Sequence, residues 1–155
     1  MKTASLIAMA CAALPLAAGA APSNPFEAFH GKVKAGLYEY RTETDMGAIP
    51  GMPPGMGKQA HTYQNCVTPE DIRRGEMSKN DRMPKDCEVK DFRMSGNTAT
   101  FRTVCTGRQR VSTDNKVTFH GDGYDMDMAM DMNEGGHPMH LKTHMQARYM
   151  GACSK

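Results

Sequence analysis

No tryptophan occurs in the 155 residues, neither charge dominates, and no stretch is both long and strongly apolar. Each absence excludes something. Nineteen basic and 17 acidic side chains leave a formal charge of +2, too balanced to recruit nucleic acid or a membrane surface by electrostatics. The uncharged run 3–18 is rich in Ala and falls short of the roughly 20 strongly apolar residues that a transmembrane segment requires. Catalytic signatures are missing as well: there is no G-x-S-x-G elbow, no H-E-x-x-H and no phosphate-binding Gly loop. None of the 5 Cys lies in a C-x-x-C, which removes the redox motif and the usual zinc spacing. The chain therefore reads as non-enzymatic, with no cofactor implied.

What is present begins with a targeting segment. Lys2 is followed by the small and apolar run, then by Ala18-Gly19-Ala20 with Pro22 just beyond; this is a signal peptide cut after Ala20, and it implies a periplasmic protein. Cys11 follows Ala8-Met9-Ala10, a loose match to a lipidation site, but Ala8 stands where a large aliphatic residue is usual. Cleavage without lipidation is the expectation. Four cysteines remain, Cys66, Cys87, Cys105 and Cys153, an even number in an oxidising compartment, which implies two structural disulfides chosen from three possible pairings.

Fifteen Gly and 9 Pro argue for many turns and short strands. Residues 21–35 read as a polar leader onto one domain, 36–155. In 36–44, Tyr38, Tyr40, Thr42 and Thr44 alternate with Glu39, Arg41 and Glu43, the pattern of a half-buried strand. The Met-Pro-Gly stretch 46–57 cannot be regular, because Pro and Gly interrupt both helix and sheet, and 61–67 returns as a second strand. Thr68-Pro69-Glu70-Asp71 starts a short helix that Arg73, Arg74 and Gly75 close. Segments 87–94 and 98–106 form a hairpin about Ser95-Gly96-Asn97. A three-residue loop pairs Met94 with Thr98 and sets Cys87 opposite Cys105, which leaves Cys66 for Cys153. A two-residue loop puts those sulfurs on opposite faces, so the pairing stays open.

The C-terminal third alternates most clearly. Tyr124, Met126, Met128, Met130 and Met132 share one face, with Asp125, Asp127, Ala129 and Asp131 on the other. Beyond Gly135-Gly136, Met139, Leu141, Thr143, Met145 and Tyr149 oppose His140, Lys142, His144 and Arg148. Pairing Met132 with His137 keeps the apolar sets together and places Asp127 against Lys142 and Asp125 against His144. The fold expected is mainly β (α+β): a curved antiparallel sheet of about six strands with one short helix.

Two clusters invite a binding role. Met46, Met52 and Met56 form an apolar loop that could meet a protein or a small lipid-like ligand. Thioethers and imidazoles are also ligands for copper(I) or another soft metal, with His137, His140, His144 and Met139 as candidates. Geometry weighs against a compact centre, because His140 and His144 in one strand lie about 13 Å apart. The Met stripe reads as adaptable core filler instead. Asp122, Asp125, Asp127 and Asp131 suggest calcium only until their spacing down one strand is counted, since neighbours on a face are about 6.6 Å apart.

These landmarks together resemble a known family. A Gly36-Leu37-Tyr38-Glu39 opening is followed by the Met-Pro-Gly loop and Gln64-Asn65-Cys66-Val67-Thr68-Pro69-Glu70-Asp71. Next come Asp86-Cys87, Ser95-Gly96-Asn97, Cys105-Thr106-Gly107, Gly121-Asp122-Gly123-Tyr124 and Gly151-Ala152-Cys153. Over 36–153 the chain is similar to the exported bacterial proteins of domain-of-unknown-function family 3617, departing at Tyr38 where Trp is common. The resemblance implies a periplasmic location and no particular activity. The function expected is a binding or envelope-associated module, with soft-metal binding as the alternative and a hydrolase as a distant third.

Overall fold

The computed structural model describes residues 25–47, 53, 57–77, 84–107, 110–134 and 137–154. The expected signal peptide and the loop residues Met52 and Met56 lie outside them. Among the described residues, seven strands form one antiparallel sheet that does not close on itself. They are β1 (Gly36–Asp45), β2 (Lys58–Val67), β3 (Cys87–Ser95), β4 (Thr98–Cys105), β5 (Val111–Phe119), β6 (Gly123–Glu134) and β7 (His137–Gly151). Their spatial order is β2-β1-β7-β6-β5-β4-β3. Every neighbour is also a sequence neighbour except one pair: the first strand lies against the last.

The mainly β expectation holds, with one strand more than foreseen. Strand β5 escapes simple patterning because two of its inward positions are Thr113 and Asn115, both buried polar residues. Asn115 is accommodated by its side-chain amide, which donates to the Thr113 carbonyl at 3.1 Å, so burial leaves no unsatisfied donor there.

Both predicted hairpins exist, each with a corrected register. In β3–β4 the turn has two residues, Ser95 pairing with Thr98 and Met94 with Ala99. That offset alone would put the cysteines out of phase. A bulge between Lys90 and Arg93 supplies the missing residue and brings Cys87 opposite Cys105. At the bulge Asp91 has φ of 54°, a left-handed conformation that Asp tolerates better than most residues. In β6–β7 the strands run on to Glu134 and His137, and Met132 pairs with Met139 rather than His137. The register moves by two residues, so every side chain keeps its expected face, but Asp127 now meets His144, and Lys142 meets Ala129. A Gly-Gly pair suits a two-residue connection, and each strand lengthens accordingly.

The disulfides join Cys66 to Cys153, with Cα atoms 5.7 Å apart, and Cys87 to Cys105, at 4.0 Å. In a chain-entropy account the first contributes about 4.6 kcal/mol and the second about 3.2, because the longer loop loses more freedom in the unfolded chain.

The core lies on one face, at the end of the sheet where β1 begins and β7 finishes. Tyr38, Tyr40, Tyr124, Phe119, Val117, Ala99, Met145 and Ala147 fill it from the strands. A 3-10 helix at Pro25–Phe29, α1 (Pro69–Arg74) and the residues that follow each cover it, adding Phe29, Val33, Ile72 and Met77 to Val67 at the end of β2. The segment read as a leader is thus part of the domain: Phe29 is 1% exposed, its ring 4.9 Å from Phe119 and 6.2 Å from Phe92. Gly75 ends α1 with φ of 72° and must be Gly for a second reason, since a Cβ there would lie 2.5 Å from the Phe26 ring. Thr68 caps α1 as expected, and the structure adds a reciprocal bond, the Thr68 hydroxyl accepting from the Asp71 amide and the Asp71 carboxylate accepting from the Thr68 amide. The Thr68 hydroxyl also donates to Asp71 Oδ2 at 2.6 Å, and this bond, with the one from the Thr68 amide, holds the Asp71 carboxyl below its ordinary pKa.

Phe29→Ala should cost about 3–5 kcal/mol in urea unfolding, whereas a residue in a detached leader would cost nothing measurable. Thr68→Ala should cost about 1 kcal/mol. Because Asp71 is more acidic in the folded chain, its contribution is complete above the unfolded pKa and is lost as pH falls through the folded one. The Thr68→Ala penalty should therefore shrink when stability is measured at acid pH.

Candidate functional site: the concave charged face

Opposite the core, the second face of the sheet is polar, and it is concave. Residues from all seven strands line a single cavity of about 1130 Å³, open along one side. On β6 and β7 its lining runs through Asp127, Ala129, Lys142 and His144; on β5 and β4 through Asp114, Lys116, Thr100 and Arg102. The trough is a direct product of the period-two pattern: the residues between the Tyr and Met positions all fall here.

Two rows cross this floor. In the first, Glu43 is opposite His144, His144 opposite Asp127, Asp127 opposite Lys116, and Lys116 opposite Thr100, which faces Arg93. In the second, Lys58 faces Asp45, Asp45 faces Lys142, Lys142 faces Ala129, Ala129 faces Asp114, and Asp114 faces Arg102. Acid and base thus alternate over much of both rows, an arrangement that favours the sheet; at the end of the second row Arg102 faces Lys90, whose ammonium is paired with Glu88 at 2.8 Å. Ala129 is the small residue at the middle of the second row and leaves the floor low between Lys142 and Asp114.

Most carboxylates here are engaged. Asp114 Oδ1 accepts from Arg102 Nε at 2.8 Å, a contact that raises the guanidinium pKa further. Asp127 bonds His144 Nδ1 at 2.8 Å, Asp45 lies 3.9 Å from Lys58 Nζ, and Glu43 holds Arg41 at 3.0 Å. No carboxylate among the described residues lies within ion-pair distance of Lys116, Lys142 or Arg93. Three cations therefore project into the trough with their charge available to a ligand, on a floor already crossed by fixed carboxylates.

The predicted site residues are placed unequally. Cys66, Cys87, Cys105 and Cys153 form the two bridges. Met46 is half-buried at the end of β1, its amide donating to the Gly57 carbonyl at 2.9 Å. Met139 sits on the core face, paired with Met132, while His140 and His144 stand on the charged face. His140 Nδ1 bonds Asp131 at 2.5 Å. The structure gives each of these two histidines a carboxylate partner and separates both from the Met139 thioether by the thickness of the sheet. For His137 only its backbone place in β7 is described. No group of three His, Cys, Asp or Glu side chains able to hold a metal occurs among the described residues. Met128, Met130 and Met132 share the core face but are only half-buried; Met126 alone of the stripe packs against the core cluster.

Sequence reasoning passed over Lys116, Asp114, Arg102 and Arg93. The available signal was the alternation of Ser112, Asp114 and Lys116 with Val111, Thr113, Asn115 and Val117, which polar residues on the inner face obscured. What could not be read was that β3, β4 and β5 would share a hollow with β1 and β2.

The separated donor set leads to a definite expectation. Calorimetric titration of the oxidised protein with copper(I) should show no uptake at micromolar concentration; saturable binding that His144→Ala abolishes would show the imidazoles converging on a metal after all.

The family model described as "Protein of unknown function (DUF3617)" matches residues 33–153. Nothing among the curated proteins and nothing among the solved structures matches the chain.

Proposed function

The chain belongs to that DUF3617 family, and with no activity attached to the family we propose from the geometry that it is a non-enzymatic binding module of the bacterial periplasm. Its ligand lies in the concave trough and carries both charge signs. The observation that carries this reading is the trough itself: a hollow crossed by all seven strands, in which Lys116, Lys142 and Arg93 have no carboxylate within ion-pair distance among the described residues, beside engaged acids. A purely apolar ligand would leave those ammonium and guanidinium groups desolvated without compensation. A ligand that presents an anionic group to Lys116 or Lys142 and a donor to Asp127 or Asp45 satisfies both. Peptide termini and lipid headgroups with opposite charges have that chemistry.

The location rests on the Ala18-Gly19-Ala20 cleavage pattern and on two disulfides, which persist in an oxidising compartment. No described helix is long and apolar enough to cross a membrane. A hydrolase would need a nucleophile activated by a base, and the three His–Asp contacts, His120–Asp125, His140–Asp131 and His144–Asp127, have no Ser, Thr or Cys bonded to the other side of the imidazole among the described residues.

Amide shift mapping tests the proposal. Glycerophosphoethanolamine, glycerophosphoglycerol and short peptides of mixed charge should perturb amides at 100–102, 114–116, 127–129 and 142–144 for at least the mixed-charge probes. Lys116→Glu combined with Lys142→Glu should weaken that binding about tenfold or more, on the scale of two lost charge-assisted contacts. Shifts confined to the Met-Pro-Gly loop, or none with any probe, would overturn the placement of the site.

A further inference from the structure

The sheet has two free edges, and they are built differently. Strand β3, at one edge, is interrupted: its register jumps between Lys90 and Arg93, Asp91 has a positive φ of 54°, and Glu88, Lys90, Asp91 and Arg93 line it with charge. Bulges and charges of this kind prevent a sheet edge from pairing with another chain. Strand β2, at the other edge, has none of these devices. It runs through ten consecutive pairs with β1 with no shift, it contains no Pro, and Lys58 at its start is its only Lys, Arg, Asp or Glu. Among the described residues its outer side meets no other strand, and Lys58 to Thr62, Gln64 and Cys66 are all exposed.

We infer that β2 is an interface for a second copy of this chain, the two β2 strands pairing antiparallel about a two-fold axis to make one continuous sheet. Strand pairing keeps opposed residues on the same face, so Tyr63, which shares the core-side face with Tyr40, must oppose an odd-numbered residue. Two registers centre the strand on its own copy, about Thr62 or about Tyr63; the one that also joins the two aromatic rows places Tyr63 against Tyr63 of the partner subunit. Thr62 then opposes Gln64, His61 opposes Asn65 and Ala60 opposes Cys66, each contact occurring twice. These are hydroxyl–amide, imidazole–amide and small–small pairs, with no charge set against a like charge, because Lys58 falls beyond the central ladder. That self-complementarity is the property an isologous contact requires.

The aromatic residues add a second reason. Tyr63 stacks on Tyr40 with centroids 5.0 Å apart and ring planes 9° apart, and His61 stacks on Tyr63 at 5.7 Å. This row reaches the sheet edge at Tyr63, which is half-buried. Across the two-fold axis it continues into the same row of the partner subunit, covering the ring that the monomer leaves partly open. An unrelated extended peptide could satisfy the backbone of β2 equally well, but it would not supply this matched row at a fixed register. The trough reaches β2 at Lys58, Gln59 and Ala60, so positions 62 and 64 of the paired strand lie outside its lining.

Exposed positions 62 and 64 on the trough-side face allow a test that spares the core. Within one subunit Thr62 is opposite Arg41 and Gln64 opposite Glu39. The variant Thr62→Glu/Gln64→Lys therefore satisfies its own β1 and also sets Glu against Lys across the two-fold axis. Thr62→Glu/Gln64→Glu sets Glu against Glu there. By sedimentation velocity over a concentration series the wild type should self-associate to a dimer. The Glu/Lys variant should remain dimeric, and the Glu/Glu variant should dimerise about tenfold or more weakly, on the scale of two cross-strand charge pairs changing sign. Amide hydrogen exchange at 60–66 should slow with concentration in the wild type and the Glu/Lys variant alone. Circular dichroism of the two variants reports whether each is folded, and Tyr63→Lys, which opposes two ammonium groups at the axis, provides a third variant if either is not. A wild type that stays monomeric at every concentration overturns the inference. So does a dimer that weakens equally in both variants, which would place the contact elsewhere, or slow exchange at 60–66 that appears only with an added peptide, which would make the edge a site for a foreign strand.

Discussion

The ladder between β1 and β7 is the contact on which the remaining structure depends. All other strand pairs join segments adjacent in sequence and close through short connections; this pair joins residues 37–45 to residues 142–151. It turns a separate β1–β2 hairpin and a five-strand meander into one sheet. Bringing such distant segments together costs loop-closure entropy before any contact rewards it. The seam is correspondingly reinforced. Tyr38 stands against Tyr149 with ring centroids 5.5 Å apart, Thr44 and Thr143 share a hydroxyl bond at 3.2 Å, and the Cys66–Cys153 bridge ties the far side of the hairpin to the end of β7. Gly36, where a Cβ would lie 2.4 Å from the Gly151 carbonyl, lets the two chains approach where the seam begins.

That seam also decides which face is closed. With β2 at one edge and β3 at the other, the connection between them must cross the whole sheet, and it can cross only one face. Ile72 and Met77 of this connection are buried in the core cluster, so the crossing is made on the Tyr and Met face, together with the 3-10 helix that carries Phe29. Among the described residues the charged face has no such cover. An antiparallel sheet tolerates one solvated face, and here strand twist and curl turn that face into a trough. The hollow follows from chain topology as much as from the side chains that line it.

The trough differs from a conventional ligand pocket. Such pockets are mostly apolar with a few polar groups that orient the ligand; this one is crossed by two rows of alternating charge. Fixed charges in rows give orientation and selectivity more readily than raw affinity. On the proposed reading, such a trough suits reversible holding of an amphoteric group better than tight sequestration. The Met residues at the less covered end of the opposite face are soft and adaptable, and of them only Met126 packs against the core cluster.

Much of the fold was legible because a half-buried strand writes its two faces directly into the sequence. The faces of β1, β6 and β7, the Thr68 cap and the even set of cysteines all follow from local rules. Strand β5 was hidden by Thr113 and Asn115, whose burial depends on hydrogen bonds supplied by neighbouring strands. The registers were open to two-residue and one-residue errors because apolar alternation repeats every two residues and says nothing about where a bulge absorbs one. Asp91 is that residue in β3, and only the assembled sheet shows it. The sequence by itself determined which residues share a face; the tertiary structure alone decided which face the chain would cross, and hence that Lys116, Lys142, Asp127 and Arg93 would meet in one hollow. Side-chain alternation is a local property of an extended backbone, whereas the curvature and cover of a face depend on contacts between residues about a hundred positions apart.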